Sequence, residues 1–366
     1  MMKFIISGGG TGGHVFPAIA IADAIKEKLP DAEISFVGAI GKLEMQKVPE
    51  AGYRIIGLDI TGFQRKFSLQ NIKLLGKLIK SLWKAFGFLN EVKPNAVIGV
   101  GGYASGAVLQ VAGWKGIPIF IQEQNSYPGW TNKFVARYAK KIFVASEGME
   151  KFFSPDKIVM TGNPVRSTLC ERQRTEDDYK KFGLDPLKKT ICVFGGSLGA
   201  RTLNRWMEHQ EPNLRMMSEI QILWQVGKIY EDEYKSKSIS KLGNVKMLAF
   251  IQDMESAYTI ADLVICRAGA LTLAELFVMA KPSILVPSPN VAEDHQRKNA
   301  EYVVSKKAAW MVLDRNVDTE LFPLMESLLG QTSQLNFVKQ ACRNLAKPDA
   351  SKNIVSEILK VLDKAQ

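Results

Sequence analysis

A glycine-rich stretch near the amino end carries the first residues that could do chemistry. The segment "SGGGTGGHVFP", residues 7 to 17, holds five glycines followed by His14 and lies between an apolar run and a helical pattern. Glycines let the backbone approach a ligand, and the amino end of the following helix offers N–H groups to an anion. An imidazole there suits proton transfer. The stretch predicts an anion-binding loop with a general base; a histidine that only orders the loop is the alternative.

The same stretch matches the fingerprint of a dinucleotide site, because Gly8, Gly10 and Gly13 have the G-x-G-x-x-G spacing. Such a site needs an acid at the carboxyl end of the second strand, where it binds the ribose. The second predicted strand, "EISFVGA", ends in small and apolar residues, and its one acid, Glu33, stands at its start. The sequence therefore disfavours a nicotinamide enzyme.

Two later segments, residues 195 to 204 and 266 to 280, also run from a strand through small residues into a helix. Glu275 lies one turn inside the second of these helices, where a carboxylate can accept ribose hydroxyls or merely favour the helix dipole. Gln296 follows a further strand in "PSPNVAEDHQRKNA", a run that a solvated helix cap would also explain. Three such loops favour a ligand that carries phosphate.

Short apolar runs alternate with helical patterns along almost the whole chain, which is typical of α/β proteins with parallel sheets. Ten strands are predicted at "KFIIS", "EISFVG", "NAVIGV", "IPIFIQ", "KIFVAS", "TICVFG", "QILWQV", "VKMLAF", "LVICR" and "PSILVP". We expect two doubly wound, Rossmann-like domains, residues 1–162 and 163–349, that face each other across a ligand-binding cleft. A final helix at about 350–366 has one apolar face, which could pack on either domain.

Composition limits the chemistry. Four scattered cysteines predict reduced, buried thiols, and three histidines without metal-ligand spacing predict no bound metal. No segment reads as a signal or a membrane span, so we expect a cytosolic chain. The net charge is +11, and residues 1–162 hold 20 Lys and Arg against 12 Asp and Glu. This excess favours a polyanionic partner: nucleic acid, an anionic membrane or a phosphorylated substrate.

A basic amphipathic segment helps to decide between these classes of partner. Between Asp59 and Glu91 the chain has six basic residues and no acid, interleaved with apolar residues at helical spacing. That pattern indicates either an interfacial membrane helix or a core helix with a solvated lysine face. Apolar rather than base-stacking neighbours disfavour nucleic acid. The residues that would touch a membrane are Lys73, Lys77, Lys80, Leu82, Trp83 and Lys84.

Seven motifs, in this order along the chain, resemble one family. They are "GGGTGGHVFPAIA", "GVGGYASGAV", "EQNSYPGWTNK", "GNPVR", "GGSLGARTLN", "CRAGALTLAE" and "DHQRKNA". The family is the bacterial glycosyltransferases that add N-acetylglucosamine to undecaprenyl-pyrophosphoryl-N-acetylmuramoyl-pentapeptide in peptidoglycan precursor synthesis. The resemblance implies a B-type glycosyltransferase fold and an inverting, metal-independent enzyme without cofactor. It also implies a peripheral protein at the cytoplasmic face of the inner membrane, which favours the membrane interpretation of the basic segment.

The resemblance also implies roles for individual residues. His14 and Glu123 are candidates for the acid or base near the acceptor. Glu275 would bind the ribose of UDP-N-acetylglucosamine, Ile251 would contact the uracil through its backbone, and Ser197 would take the phosphates. The full donor-binding set is Thr11, Gly12, Gly13, Asn125, Arg166, Ser197, Ile251, Ala270, Leu271, Thr272, Leu273, Ala274, Glu275 and Gln296.

Other functions stay open from the residues. A UDP-sugar epimerase could share the nucleotide site, and another B-type glycosyltransferase could act on a different lipid acceptor. A noncatalytic lipid-binding module would need the basic segment but would release no UDP.

Overall fold

The computed structural model describes residues 1–60, 70–166, 168–196, 198–291 and 294–364, with the side chains of 70–75 left out. The chain divides into two compact units. Unit 1 comprises Met1–Ser167 and Lys347–Gln366, and unit 2 comprises Thr168–Ala346. The sequence places the two junctions after residues 162 and 349, whereas the units divide after residues 167 and 346.

Unit 1 is built on a seven-stranded sheet in which every pair of neighbouring strands is parallel, with the order β3-β2-β1-β4-β5-β6-β7. Its strands are β1 Lys3–Gly8, β2 Glu33–Ala39, β3 Arg54–Leu58, β4 Ala96–Gly101, β5 Ile119–Glu123, β6 Ala139–Val144 and β7 Ile158–Met160. Its helices are α1 Gly12–Lys28, α2 Glu44–Glu50, α3 Gln70–Val92, α4 Tyr103–Trp114, α5 Trp130–Val135 and α15 Ala350–Asp363. Parallel neighbours place the carboxyl ends of β1, β2, β4 and β5 at one edge.

Unit 2 has a six-stranded parallel sheet with the order β10-β9-β8-β11-β12-β13. Its strands are β8 Lys189–Phe194, β9 Ile220–Gln225, β10 Val245–Leu248, β11 Leu263–Cys266, β12 Ser283–Leu285 and β13 Trp310–Met311. Its helices are α6 Glu176–Lys180, α7 Arg201–His209, α8 Glu211–Met216, α9 Glu231–Lys235, α10 Met254–Ile260, α11 Ala270–Val278, α12 His295–Ser305, α13 Phe322–Leu329 and α14 Thr332–Leu345.

All ten predicted strands are present, and the α/β class with two parallel sheets is confirmed. The central strands are buried along almost their whole length and are rich in apolar residues on both faces, because helices cover both faces of the sheet. In unit 1 the two faces form separate apolar clusters, one around Ile5 and Val97 and the other around Phe4 and Ile98. The alternation of neighbouring residues between the two clusters is the period-two geometry of a strand.

The carboxyl-terminal helix α15 belongs to the core of unit 1. Its apolar face is buried in the same cluster as Phe4 of β1 and Ile21 of α1, and it consists of Ile354, Ile358 and Leu362. No helix in the described ranges combines the length and the hydropathy needed to cross a membrane.

Candidate active site

The first glycine-rich loop joins β1 to α1 at the carboxyl edge of the unit 1 sheet. Gly10 has φ +91°, a conformation open to glycine, and the N–H of Gly9 donates to Gly101 O at 3.2 Å. Thr11 is the N-cap of α1 but makes no side-chain capping bond. Its Oγ1 lies 3.3 Å from His14 Nδ1 instead. The hydroxyl that would ordinarily cap a helix therefore holds the imidazole.

The imidazole of His14 lies against the loop that follows β4. A Cβ added at Gly101 would stand 2.7 Å from His14 Cδ2 and 2.8 Å from Nε2. Gly101 has φ +98°, so both its conformation and the neighbouring ring require glycine. Gly101 of the motif "GVGGYASG" thus packs against the ring of His14. The structure brings this motif next to the first glycine-rich loop, which is far away in sequence.

Glu44, which the sequence analysis did not single out, reaches the same loop from α2. Its Oε2 accepts the N–H of Gly10 at 2.8 Å and its Oε1 accepts the N–H of Ala39 at 2.9 Å. The side chain is fully buried. A carboxylate therefore does stand near the carboxyl end of β2, but both of its oxygens are engaged by the backbone.

Glu123, the second candidate acid or base, ends β5 and is buried. Oε1 accepts the N–H and the Nδ2 of Asn125 at 3.0 and 3.3 Å. Oε2 accepts the N–H of Gly129 at 3.1 Å and Asn132 Nδ2 at 2.8 Å. Four N–H groups therefore surround the carboxylate, as in a residue that orders the loop from Asn125 to Gly129.

Besides Thr11, Gly12 and Gly13, the expected donor residues Asn125 and Arg166 lie in unit 1 and have partners there. The side chain of Asn125 contacts Glu123, as described above. The guanidinium of Arg166 lies 5.2 Å from the ring centroid of Phe16 in α1, a cation–π contact.

In unit 2, Glu275 is buried one turn inside α11, and Tyr258 donates its hydroxyl to Glu275 Oε2 at 2.9 Å. Helix α11 starts at Ala270, and no acidic residue occupies its first turn. Its amino end therefore keeps its partial positive charge, which favours an anion. Residues 270–275 thus combine a helix amino end of partial positive charge with a buried carboxylate that Tyr258 holds.

Gln225, at the end of β9, connects two further segments of this edge. Its Nε2 donates to Gly196 O at 2.9 Å, and its Oε1 accepts the N–H of Ile251 at 2.8 Å. The N–H of Ile251 is therefore used within unit 2. Ser197 lies outside the described residues.

The loop after β12 is held by two other side chains. Gln296 Oε1 accepts the N–H of Ser288 at 2.9 Å, which fixes the amide at the start of α12. Arg267, directly after β11, donates to Val286 O at 3.0 Å and forms an ion pair with Asp314. These contacts fix the carboxyl ends of neighbouring strands relative to each other.

Four residues of these loops are not predicted from the sequence: Glu44, Tyr258, Gln225 and Arg267. Each acts on a site residue or loop 17 to 34 positions away, as the bonds of Tyr258, Arg267, Gln225 and Glu44 show. Local spacing carries no such signal. An acid, amide or guanidinium close to a strand end, as at Glu44, Gln225 and Arg267, was the one available hint.

The cysteines take no part in this chemistry. Burial raises the pKa of Cys192 and of Cys342 to about 12, so both stay protonated thiols. Cys266 at the end of β11 is also buried, and burial raises the pKa of its thiol as well. The expectation of four buried cysteines is wrong for Cys170, which is exposed because it lies in the polar segment after the unit junction.

Comparison with known protein families gives one match for each of the two sheets. Residues 4–144 match the glycosyltransferase family 28 N-terminal domain, and residues 190–360 match the glycosyltransferase family 28 C-terminal domain. These two matches fall on the sheets of unit 1 and unit 2.

Curated relatives match over nearly the full length. A Bacteroides fragilis protein named UDP-N-acetylglucosamine--N-acetylmuramyl-(pentapeptide) pyrophosphoryl-undecaprenol N-acetylglucosamine transferase is 49% identical, with 98% of this chain and 96% of that protein covered. A Flavobacterium psychrophilum protein of the same name is 50% identical, with 99% and 98% covered. The crystal structure of Acinetobacter baumannii MurG is 28% identical with a TM-score of 0.74, covering 98% of this chain and all of that one. The chain therefore belongs to glycosyltransferase family 28.

Proposed function

We propose that this enzyme transfers N-acetylglucosamine from UDP-N-acetylglucosamine to the 4-hydroxyl of the muramoyl sugar of undecaprenyl-pyrophosphoryl-N-acetylmuramoyl-pentapeptide. The names of relatives at 49% and 50% identity support both substrates. The product is the lipid-linked disaccharide precursor of peptidoglycan. Transfer inverts the anomeric carbon and uses no metal.

The observation that carries the assignment of His14 as the general base is the contact between Thr11 Oγ1 and His14 Nδ1 at 3.3 Å. A general base must present an unprotonated ring nitrogen. When Nδ1–H donates to the threonine oxygen, the lone pair lies on Nε2, which is the basic position. We therefore assign His14 the tautomer with its proton on Nδ1, in which Nε2 can accept the proton of the acceptor hydroxyl.

The chemical step is then a single displacement. His14 Nε2 takes the proton of the acceptor 4-hydroxyl as the oxygen attacks C1 of N-acetylglucosamine on the face opposite UDP. The bond from C1 to the phosphate oxygen breaks, and UDP leaves with the electron pair. The amino end of α11 stabilises the charge that develops on the diphosphate.

The donor is assigned to the strand-end loops of unit 2. Glu275, held by Tyr258, accepts the two ribose hydroxyls. The carbonyl of Ile251 faces the uracil, and Gln296 contacts the sugar. Ser197, the run Ala270 to Ala274, and Thr11, Gly12, Gly13, Asn125 and Arg166 complete the proposed set.

Replacement of His14 by Ala tests the assignment of the base. We expect turnover to fall by about two to four orders of magnitude, in the range of general-base contributions, with UDP-N-acetylglucosamine affinity within about 2-fold of wild type. The matched control is His209→Ala, because His209 is an exposed histidine of α7 in unit 2. Near-normal turnover in His14→Ala would remove His14 from this role.

The acceptor carries a polyprenyl chain, so the enzyme must work at a membrane surface. We assign contact with the anionic cytoplasmic face of the inner membrane to α3, as a peripheral association. Ile79, Trp83 and Phe86 share one face of that helix and are 49, 72 and 42% exposed. Trp114 at the end of α4 is also exposed, and Lys115 lies 4.7 Å over the Phe86 ring. Exposed tryptophans with lysines beside them suit the headgroup region of an anionic bilayer.

A further inference from the structure

Glu44 is a buried acid that the proposed chemistry leaves without a role. It is the first residue of α2, follows β2 by five positions and has no exposed surface. Both carboxylate oxygens accept backbone N–H groups, that of Gly10 at 2.8 Å and that of Ala39 at 2.9 Å. The side chain therefore joins the first glycine-rich loop to the end of β2.

Two glycines provide the space that this carboxylate occupies. A Cβ at Gly9 would stand 2.1 Å from Glu44 Oε1, and a Cβ at Gly38 would stand 2.4 Å from Glu44 Cγ. Real Cβ atoms do not approach other atoms so closely, so either addition would displace the side chain. Glycine at both positions is thus explained by the acid.

The charge of Glu44 depends on the loop for its stabilisation. Burial of a carboxylate is costly unless strong hydrogen bonds replace water. Within the described part of the chain no basic side chain forms an ion pair with Glu44, so the N–H groups of Gly10 and Ala39 stabilise its charge. Bonds from N–H to a carboxylate are about twice as strong as neutral ones. Movement of Gly10 away from Glu44 is therefore opposed.

We propose that Glu44 is a positioning residue that fixes the loop Gly8–Gly13 and, through Thr11, the orientation of His14. Gly10 directly precedes Thr11, whose hydroxyl contacts His14 Nδ1 at 3.3 Å. Because Glu44 takes the N–H of Gly10, an anionic substrate group meets the N–H groups from Thr11 onward. The inference rests on the proposed role of His14 as the base.

Glu44→Gln removes the charge and one oxygen acceptor of the side chain but keeps its size. A glutamine has one oxygen acceptor, so its NH2 group must face one of the two backbone donors. We expect kcat to fall about 10- to 100-fold, since a misplacement on the order of 1 Å costs up to about 100-fold. The KM for UDP-N-acetylglucosamine should rise by a smaller factor than kcat falls, because the proposed ribose and uracil contacts lie in unit 2 and only the contacts of Thr11, Gly12 and Gly13 are disturbed. Glu50→Gln, at the exposed other end of α2, is the matched control and should retain wild-type kcat.

A double-mutant cycle with His14→Ala distinguishes positioning from a general structural role. If Glu44 acts through His14, Glu44→Gln should slow His14→Ala by no more than about 2-fold, because coupled residues are not additive. A structural role alone would lower the residual rate by the full factor seen in wild type. Gly9→Ala disturbs the contact between Glu44 and the loop from the side of the loop, because the added Cβ would displace the carboxylate. This variant replaces Glu44→Gln in the cycle if Glu44→Gln does not fold.

The outcomes are distinct. Wild-type kcat in Glu44→Gln, an additive cycle, or a raised donor KM as the main effect would each overturn the positioning role. A slow His14→Ala together with a normal Glu44→Gln removes only this inference. A normal His14→Ala removes the proposed base itself.

Discussion

Two buried carboxylates of unit 1, Glu44 and Glu123, each accept hydrogen bonds from N–H groups at the ends of strands. Neither carboxylate is presented to solvent as a base. His14 is half-buried and is contacted by a hydroxyl, which leaves the imidazole the better suited of the candidates to exchange a proton. Burial and donor count therefore separate residues that residue type alone leaves equivalent.

Glu123→Gln should destabilise the protein rather than remove the base. One amide oxygen cannot replace two carboxylate oxygens that accept four bonds, so we expect a loss of about 1 to 3 kcal/mol in the free energy of unfolding. Urea titration measures the loss, and the pH dependence of kcat should keep its wild-type shape. A kcat lowered by about 100-fold or more at unchanged stability would instead identify Glu123 as the base.

Lys281 predicts a pH-dependent stability. Its Nζ donates to Thr259 O and Ala261 O at 3.1 and 3.2 Å at the end of α10, and burial lowers its pKa to about 7. The unfolded chain keeps the ordinary lysine pKa of about 10.4. Between about pH 7 and pH 10 the unfolded state thus binds a proton that the folded state lacks, so stability rises with pH.

Lys281→Met measures this contribution. From pH 7.5 to 9 the free energy of unfolding of wild type should rise relative to the variant, by at most about 1.4 kcal/mol per pH unit. The two carbonyl contacts are lost at both pH values and cancel in the comparison. Lys246→Met, on the exposed surface of β10, should follow wild type. Parallel curves for wild type and Lys281→Met would contradict the lowered pKa.

At the residue scale, the sequence predicts the side chains that belong to a motif and misses those that hold them. His14 and Glu275 each follow a glycine loop, and the structure places His14 in the first turn of α1 and Glu275 one turn inside α11. Tyr258 and Gln225 give no such signal, because their roles arise only when separate strands align in the sheet.

At the scale of elements, α3 shows where helical periodicity is informative and where it is not. The sequence groups Leu82 with Trp83 on the membrane-facing side, but Leu82 packs against the core of unit 1. The basic residues also differ from one another. Lys77 pairs with Asp59, Lys84 donates to Gly57 O, and the side chain of Lys73 lies outside the described residues. Charge reversal at these lysines would disturb unit 1 itself.

The proposed membrane-binding face of α3 is therefore better tested through its exposed apolar residues. Ile79→Ser with Trp83→Ser should abolish sedimentation with anionic vesicles, because the exposed apolar face is lost, and should spare activity on a short-chain soluble acceptor. Phe337→Ser, an equally exposed apolar position on α14 in unit 2, is the control and should sediment normally. Vesicle binding that persists in the double variant would exclude this face.

The strands that the sequence misses are β3, β7 and β13, and all three lie at the edge of a sheet. β7 and β13 have three and two residues, too few to display a period. In β3 only Gly57 and Leu58 are buried, and Gly57, a weak strand former, interrupts its aliphatic residues.

At the scale of the whole molecule, the sequence predicts two α/β domains and a terminal helix with one apolar face. It does not predict which core receives that face, since periodicity reports that a stripe is buried and not what covers it. The structure places α15 in unit 1, next to α1. Unit 1 therefore contains both ends of the described chain.

Metal-independent transfer to a lipid-linked acceptor is tested by measuring UDP release from UDP-N-acetylglucosamine, with and without the undecaprenyl-linked muramoyl-pentapeptide and with and without EDTA. We expect release only when the acceptor is present, at a rate that EDTA does not change. Consumption of the sugar nucleotide without acceptor, or loss of release in EDTA, would contradict it.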